Sequence, residues 1–116
     1  MDVHFDPAAF AQRQQDAYNE RNPDQFLAEY TEDVVAYRLS GGEAMAVGRP
    51  ALGEHYGKSR FSLPNLHAEQ VNRMVSGNKV IDHERVSGVS EQPMEVVAIH
   101  EATPADIRRV WLLGAE

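Results

Sequence analysis

The chain has 116 residues, of which 42% are hydrophobic, a net charge of −7 and no cysteine. This composition is typical of one folded domain over residues 1–116 rather than a disordered segment. The acidic excess opposes binding to nucleic acid, and the lack of cysteine excludes disulfides, thiolate metal sites and a cysteine nucleophile. The first residues lack the pattern of a signal peptide, and no apolar stretch reaches membrane-spanning length, so we expect a cytoplasmic protein with no membrane partner.

Two helices are predicted near the start of the chain. Each opens with a capping side chain followed by a proline whose missing N–H costs nothing at that position, at Asp6-Pro7 and at Asn22-Pro23. The first helix should run to about Arg21. Residues at helical spacing give this helix one buried face, made of Phe10, Gln14, Ala17 and Tyr18. We therefore expect Gln14 and Tyr18 to point inward.

The rest of the chain is predicted to form strands, interrupted by a third helix. A strand over residues 34–39 and a short return strand over residues 45–47 come first. The third helix opens at Gly48-Arg49-Pro50, runs to about Arg60 and carries Tyr56 on its packing face. The last part is predicted to contain a hairpin over residues 66–88 and the strands Met94–Ala102 and Ile107–Leu113. Helices followed by antiparallel strands indicate an α+β fold.

The turn of the hairpin sets a pairing register. A two-residue turn at Gly77-Asn78 places Ser76 opposite Lys79 and, three residues farther from the turn, Arg73 opposite Asp82. Side chains alternate between the two faces of a strand. One face of the hairpin is therefore predicted to carry the titratable side chains His67, Glu69, Arg73, Asp82 and Glu84.

Three further segments carry a family resemblance. They are the first helix ending in Ala17-Tyr18-Asn19, the stretch TEDVVAY at residues 31–37, and GRPAL at residues 48–52 before Tyr56. In this order, and followed by four strands, they resemble the ketosteroid isomerase-like superfamily, also called SnoaL-like or nuclear-transport-factor-two-like. The resemblance implies a cone-shaped, curved antiparallel sheet with about three helices packed on its concave face, enclosing a pocket for a small molecule. It also implies a homodimer through the convex face, and it implies fold more securely than activity.

The catalytic residues of the isomerases do not carry over to this sequence. Their tyrosine donor on the first helix corresponds to Gln14. Their aspartate base on the first strand corresponds to Arg38, which cannot abstract a proton at neutral pH. Their second oxyanion donor falls near Glu101, or at Ile99 or His100 if the register slips. The resemblance therefore implies a pocket in which steroid isomerisation by the family mechanism is not expected.

Acid–base chemistry is one of three interpretations of the hairpin face. Two carboxylates that share a site raise the pKa of one of them, which suits general acid–base catalysis. The candidates are Glu69 with Glu84, or Asp82 with Glu84 across Arg73, and His67 is a further catalytic group because its unperturbed pKa lies near neutrality. The other two interpretations are a structural ion-pair network across the strands, which we favour for this face, and a role in orienting a ligand. His67 and His83 are predicted to lie on opposite faces, so we expect no metal site and no cofactor.

The expected substrate-binding side chains are Gln14, Tyr18, Arg38, Tyr56, Glu101 and Trp111. Trp111 has an alternative role in the core or the dimer interface, because the face of the last strand that it occupies depends on an uncertain turn length. Two functions stay open at this point. The protein is either an acid–base enzyme of isomerase, hydrolase or hydratase type acting on a small organic substrate, or a ligand-binding or dimerisation module without catalysis.

Overall fold

The computed structural model describes residues 6–114, which form a curved six-stranded sheet and three α-helices. The helices are α1 (Pro7–Asn19), α2 (Pro23–Ala28) and α3 (Arg49–Tyr56), and one turn of π-helix, Gly57–Phe61, extends α3. The strands are β1 (Tyr30–Arg38), β2 (Ala44–Val47), β3 (His67–Ser76), β4 (Lys79–Ser87), β5 (Met94–Ala102) and β6 (Ile107–Leu113). The strand order is β2-β1-β6-β5-β4-β3, and all neighbours run antiparallel except β1 and β6. The predicted α+β class is confirmed.

Both predicted helix starts are confirmed by their capping contacts. The Asp6 carboxylate accepts a hydrogen bond from the Ala8 N–H at 3.1 Å, and the Asn22 side chain accepts one from the Gln25 N–H at 3.2 Å. The buried face of α1 is also as predicted, because Gln14 and Tyr18 are only 6% and 8% exposed. Among residues 6–114 no helix is long and apolar enough to cross a membrane.

The hairpin register is correct near the turn and wrong beyond it. Gly77 adopts φ +60°, as the first central residue of a type II′ turn requires, and Arg73 pairs with Asp82 as predicted. A β-bulge at Val71 then shifts the ladder by one residue, so that Gln70 rather than Val71 lies opposite Glu84. An extra residue in one strand exchanges the faces of everything beyond it. His67 is therefore exposed on the opposite face from Glu84, and its predicted position is wrong.

An aromatic cluster joins the helices to the inner face of the sheet. Phe26 of α2 lies at its centre and is 1% exposed. Its ring centroid lies 5.0–6.1 Å from those of four other rings, which belong to Tyr18, Tyr30, Tyr56 and Phe61. Burying a phenylalanine side chain contributes about 1.5–3 kcal/mol. Because the five rings come from α1, α2, β1, α3 and the π-turn, this cluster fixes the helices over the sheet.

The outer face of the sheet carries a second, half-buried apolar group. The Trp111 ring stacks on Tyr37, with centroids 5.6 Å apart and planes 16° from parallel. Trp111 also pairs with Ile99 across β5 and β6, and Leu39 and Ile81 line the same surface groove. Val110 and Leu112, the neighbours of Trp111 in β6, face inward and are buried. The structure thus settles which face of β6 carries the tryptophan: the one turned away from the helices.

Candidate functional site

A cavity of about 40 Å³ lies between the helices and the inner face of the sheet. This volume holds roughly two to four water molecules. Part of the wall is apolar, with Val86, Val96, Ala98, Val110 and Leu112 from three strands. Polar side chains from every surrounding layer reach the same space: Gln14, Gln15, Tyr18, Tyr30, Tyr56, Arg60, Glu84 and His100. A few converging polar groups in an otherwise apolar cavity are typical of small-molecule sites.

Glu84 is the acidic side chain on the cavity wall. It projects from β4 and is 8% exposed, and within residues 6–114 no group donates a hydrogen bond to its carboxylate. Burial, and to a smaller extent the charge of Asp82, raise the pKa of Glu84 to about 7, although Arg73 partly opposes both effects. Glu84 can therefore both accept and release a proton at neutral pH, which an ordinary surface glutamate does poorly.

Asp82 lies two residues before Glu84 and is fully buried, at 0% exposure. Arg73 binds its carboxylate in a bidentate manner, with Nε 2.7 Å from Oδ1 and Nη2 3.1 Å from Oδ2. The Gln70 amide donates a further bond to Oδ1 at 3.2 Å. Arg73 also donates to the side chains of Gln12 and Gln15 on α1, at 2.9 and 3.3 Å. This network ties β3, β4 and α1 together and fixes a negative charge near Glu84.

His100 reaches the cavity from β5, next to the same carboxylate. It is 2% exposed, and its Nδ1 lies 3.8 Å from Asp82 Oδ2, too far for a hydrogen bond. In the part of the chain that is described, that nitrogen has no hydrogen-bond partner. Burial lowers the pKa of His100 to about 4, although the charge of Asp82 acts in the opposite direction. His100 is therefore a neutral imidazole at pH 7.

Two tyrosine hydroxyls face the cavity from the helices. Burial raises the pKa of Tyr18 to about 12 and raises that of Tyr56 as well, so both stay protonated at neutral pH and can donate hydrogen bonds. Gln14 is held differently, because it accepts a bond from the Tyr30 hydroxyl at 3.2 Å and donates one to the Ala11 carbonyl at 2.9 Å. Tyr18 and Tyr56 are thus the better placed donors for a bound molecule.

Arg60 is the positively charged side chain on the cavity wall. It belongs to the π-turn Gly57–Phe61, where the sequence predicts a continuous α-helix to about residue 60. The wider turn changes the direction of its side chains, and π-turns frequently mark functional sites. The two glycines of this helix, Gly53 and Gly57, were the available signal, because each weakens regular helix geometry.

Comparison with known proteins assigns the fold to a family. Residues 11–112 match the family model of the SnoaL-like domain. The chain belongs to the SnoaL-like family. The predicted resemblance is therefore confirmed. A search of curated proteins gives no match.

Three solved structures share this SnoaL-like fold. An uncharacterised cystatin-fold protein from Novosphingobium aromaticivorans is 20% identical, with a TM-score of 0.83 over 95% of this chain and 99% of that one. A candidate ketosteroid isomerase from Kribbella flavida is 18% identical, with a TM-score of 0.80 over 95% and 78%. A candidate polyketide cyclase from Sinorhizobium meliloti is 18% identical, with a TM-score of 0.78 over 94% and 100%. At such identities the likeness establishes the fold alone.

The SnoaL-like cavity brings together part of the predicted site and leaves out the rest. Gln14, Tyr18, Tyr56 and Glu84 line it, and the Arg73–Asp82 pair lies directly behind Glu84. The predicted side chains that do not line it are His67, Arg38, Glu101 and Trp111.

Each of the excluded side chains has a physical reason for its position. Arg38 ends β1 and pairs with Glu43 of the following turn, 3.3 Å away. Glu101 points to the outer face, where it pairs with Lys79 at 3.1 Å, with Arg109 at 3.2 Å and with Arg108. Strand alternation puts His100 inward and Glu101 outward, so of the three positions that the resemblance left open His100 is the one in the SnoaL-like cavity.

The SnoaL-like site also contains residues that sequence reasoning missed. Gln15 lies outside the predicted face of α1, although the spacing of Ala11, Gln15 and Tyr18 also fits one helix face and all three are buried. Tyr30 opens β1, four residues before the predicted start of this strand at residue 34. Arg60 was missed because the sequence predicts a regular α-helix at this position. In each case the local sequence pattern fitted more than one structural assignment.

Proposed function

We propose that this protein is an enzyme that transfers a proton to or from a small organic molecule held in the cavity, with Glu84 as the acid–base group. The supporting observation is that Glu84 is buried against the cavity and accepts no hydrogen bond from residues 6–114. A carboxylate held only for stability would be paired, as Asp82 is paired with Arg73. An unpaired buried acid at a cavity is the arrangement that general acid–base catalysis requires.

The other groups have supporting roles in the same reaction. Ionised Glu84 accepts a proton from a carbon or oxygen of the substrate, and the neutral acid returns it to a different atom, so that the net change is an isomerisation. The hydroxyls of Tyr18 and Tyr56 donate hydrogen bonds to the oxygen on which negative charge develops. Asp82, fixed by Arg73, is a positioning residue that keeps the pKa of Glu84 raised. The relatives called candidate ketosteroid isomerase and candidate polyketide cyclase are consistent with a catalytic pocket in this fold.

A titration tests this proposal without knowledge of the substrate. Protein labelled with ¹³C at glutamate carboxyl groups is titrated by NMR, and the Glu84 resonance is assigned by its loss in Glu84→Gln. We expect that resonance to titrate near pH 7, because burial raises the pKa of Glu84 to about 7. A pKa in the ordinary range of glutamate, about 4.3, would contradict the proposal.

A turnover assay tests the chemistry itself. The protein is incubated in D₂O with acetone, 2-butanone or pyruvate, and deuterium incorporation beside the carbonyl is followed by ¹H NMR. Glu84→Gln should lower the protein-dependent exchange rate by about 10²-fold or more. Glu91→Gln, at an exposed loop position, is the matched control and should exchange like the wild type. Equal rates in Glu84→Gln and the wild type would exclude Glu84 as the base, and binding without exchange would favour a non-catalytic ligand-binding module.

We also propose that two copies associate through the outer face of the sheet. The support is the apolar surface around Trp111, with Leu39, Ile81 and Ile99 beside it. Ile99→Lys should convert a dimer to a monomer in sedimentation velocity, because a charge would be buried at the interface. Val47→Lys, at a position 67% exposed on β2, is the control and should leave association unchanged. A wild-type protein that sediments as a monomer would refute this association.

A further inference from the structure

Arg60 differs from the other basic side chains near the sheet. Most of these pair with a carboxylate, as Arg73 does with Asp82 and Lys79 with Glu101. Arg60 lines the cavity, yet no carboxylate among residues 6–114 lies within ion-pair distance of it. Its Nη1 donates to its neighbour's carbonyl, Ser59 O, at 3.0 Å, and its side chain also hydrogen-bonds to the Tyr18 hydroxyl. A guanidinium beside a cavity in a chain with an acidic excess therefore has free donors for a ligand.

Arg60 and Glu84 line the same cavity from different elements, the π-turn and β4. The hydroxyl-bearing side chains Tyr18 and Tyr56 line it with them. Both tyrosines are near enough to feel the two charges, since Arg60 lowers their pKa values and Glu84 raises them. A ligand that meets both charged side chains needs an anionic group for Arg60 and a reacting centre for Glu84.

The π-turn holds Arg60 in place through the residue that follows it. The Phe61 ring packs against Tyr18 and Phe26, with centroids 5.7 and 5.3 Å away. Because Phe61 is fixed in the aromatic cluster, the backbone of Arg60 is fixed as well. The base of the Arg60 side chain is therefore fixed, which removes part of the entropy cost when the guanidinium binds an anion.

We propose that the cavity binds a short organic carboxylate whose carboxylate group pairs with Arg60 beside the Tyr18 hydroxyl. The remainder of the ligand reaches Glu84, and the proton transfer at that side chain rests on the function proposed above. A guanidinium matches a carboxylate with two parallel hydrogen bonds. A phosphate fits less well, because Arg60 is the one Lys or Arg side chain among the described residues that lines the cavity, and a second negative charge would have no cation to bind. The small cavity limits the ligand to about two to five carbon atoms, in keeping with space for a few waters.

Propionate and propionamide form the matched pair of probes, because they have similar shapes and differ in charge. Each is titrated into ¹⁵N-labelled protein and followed by NMR. We expect propionate to bind at millimolar concentration and to shift the amide signals of the π-turn, and propionamide to bind about 10- to 100-fold more weakly. Arg60→Gln should remove this difference, and Arg60→Lys should restore part of it. Arg85→Gln removes the same charge from the outer face, where Arg85 pairs with Glu69 and Glu95, and should bind propionate like the wild type.

Propionate binding tests the carboxylate site at Arg60, and deuterium exchange separately tests the reaction at Glu84. Undisturbed propionate binding in a folded Arg60→Gln variant, equal binding of the two probes, or no shift in the wild type would overturn the carboxylate site. Inorganic phosphate that binds as tightly as propionate would overturn the preference for carboxylates. Loss of deuterium exchange in Glu84→Gln would still support Glu84 as the base in each of these cases. Conversely, propionate binding that depends on Arg60 while Glu84→Gln exchanges normally would retain the site and refute the reaction.

Discussion

Replacing Arg73 with methionine is expected to lower the free energy of unfolding by about 3–5 kcal/mol, the usual cost of leaving a buried charge without its partner. Asp82 is 0% exposed, and Arg73 supplies both of its ion-pairing hydrogen bonds. Among residues 6–114, the Gln70 amide is then the one hydrogen-bond donor left to that carboxylate. Urea unfolding of the two proteins at pH 7 measures the difference. Arg73→Met/Asp82→Leu should recover most of the loss, because two apolar side chains leave no stranded charge.

Arg85→Met is the matched control for this result. Arg85 also bridges neighbouring strands, through Glu69 and Glu95, but its side chain is 44% exposed. Exposed ion pairs contribute little to stability, so a small change is expected. Equal losses for Arg73→Met and Arg85→Met would show that the Arg73–Asp82 pair has no special role. A double variant as unstable as Arg73→Met would show that the loss comes from packing rather than from the charge on Asp82.

Glu84→Gln is expected to gain stability over the wild type as the pH rises. The pKa of Glu84 is about 7 in the folded protein and about 4.5 when unfolded, so folding takes up a proton between these values. The wild type therefore loses stability as the pH rises from about 4.5 to about 7, and the loss is complete above pH 7. A shift of this size corresponds to about 3 kcal/mol. The advantage of Glu84→Gln should grow by about 2–3 kcal/mol between pH 5 and pH 8, measured by urea unfolding.

The same measurement on Glu91→Gln supplies the control. Glu91 is exposed in the loop between β4 and β5, and its replacement should show no comparable change with pH. An advantage of Glu84→Gln that stays constant from pH 5 to pH 8 would mean that the carboxylate is not desolvated in the folded protein. If Glu84→Gln is more stable than the wild type and has lost deuterium exchange, the wild type gives up stability to keep a catalytic carboxylate in a buried environment.

Features set by neighbouring residues were predictable from the sequence. Asp6 and Asn22 begin the helices because their side chains cap free N–H groups, and Gly77 turns the hairpin because it tolerates positive φ. The strands β5 and β6 have the predicted limits, Met94–Ala102 and Ile107–Leu113. Their ends are set by the local turn residues between and around them. The pairing of Arg73 with Asp82 followed directly from the two-residue hairpin turn.

Features set by the assembled sheet were not predictable in the same way. No glycine marks the position of the bulge at Val71 in the sequence. The bulge moves His67 to the outer face of the sheet, and this change is defined only by how β3 pairs with β4. The facing of Glu101 and His100 depends on where β5 sits against β4, which the sequence pattern left open within one residue. The position of Arg60 depends on the π-turn, whose Phe61 ring packs against aromatic rings of α1, α2 and α3. A single residue of uncertainty in a strand decides whether a side chain meets the cavity or the outer surface.

The bulge at Val71 also gives the edge strand β3 tolerance to a change in chain length. With Val71 absent, Asn72 still lies opposite His83 and Gln70 still lies opposite Glu84, in a regular ladder. A deletion of one residue here is therefore absorbed by the loss of the bulge, and the same side chains face the helices. An insertion of one residue cannot be absorbed in this way. It would move His67 and Glu69 to the inner face in place of Ala68 and Gln70. The hairpin can become shorter by one residue without altering the lining of the cavity, whereas lengthening by one residue would replace part of that lining.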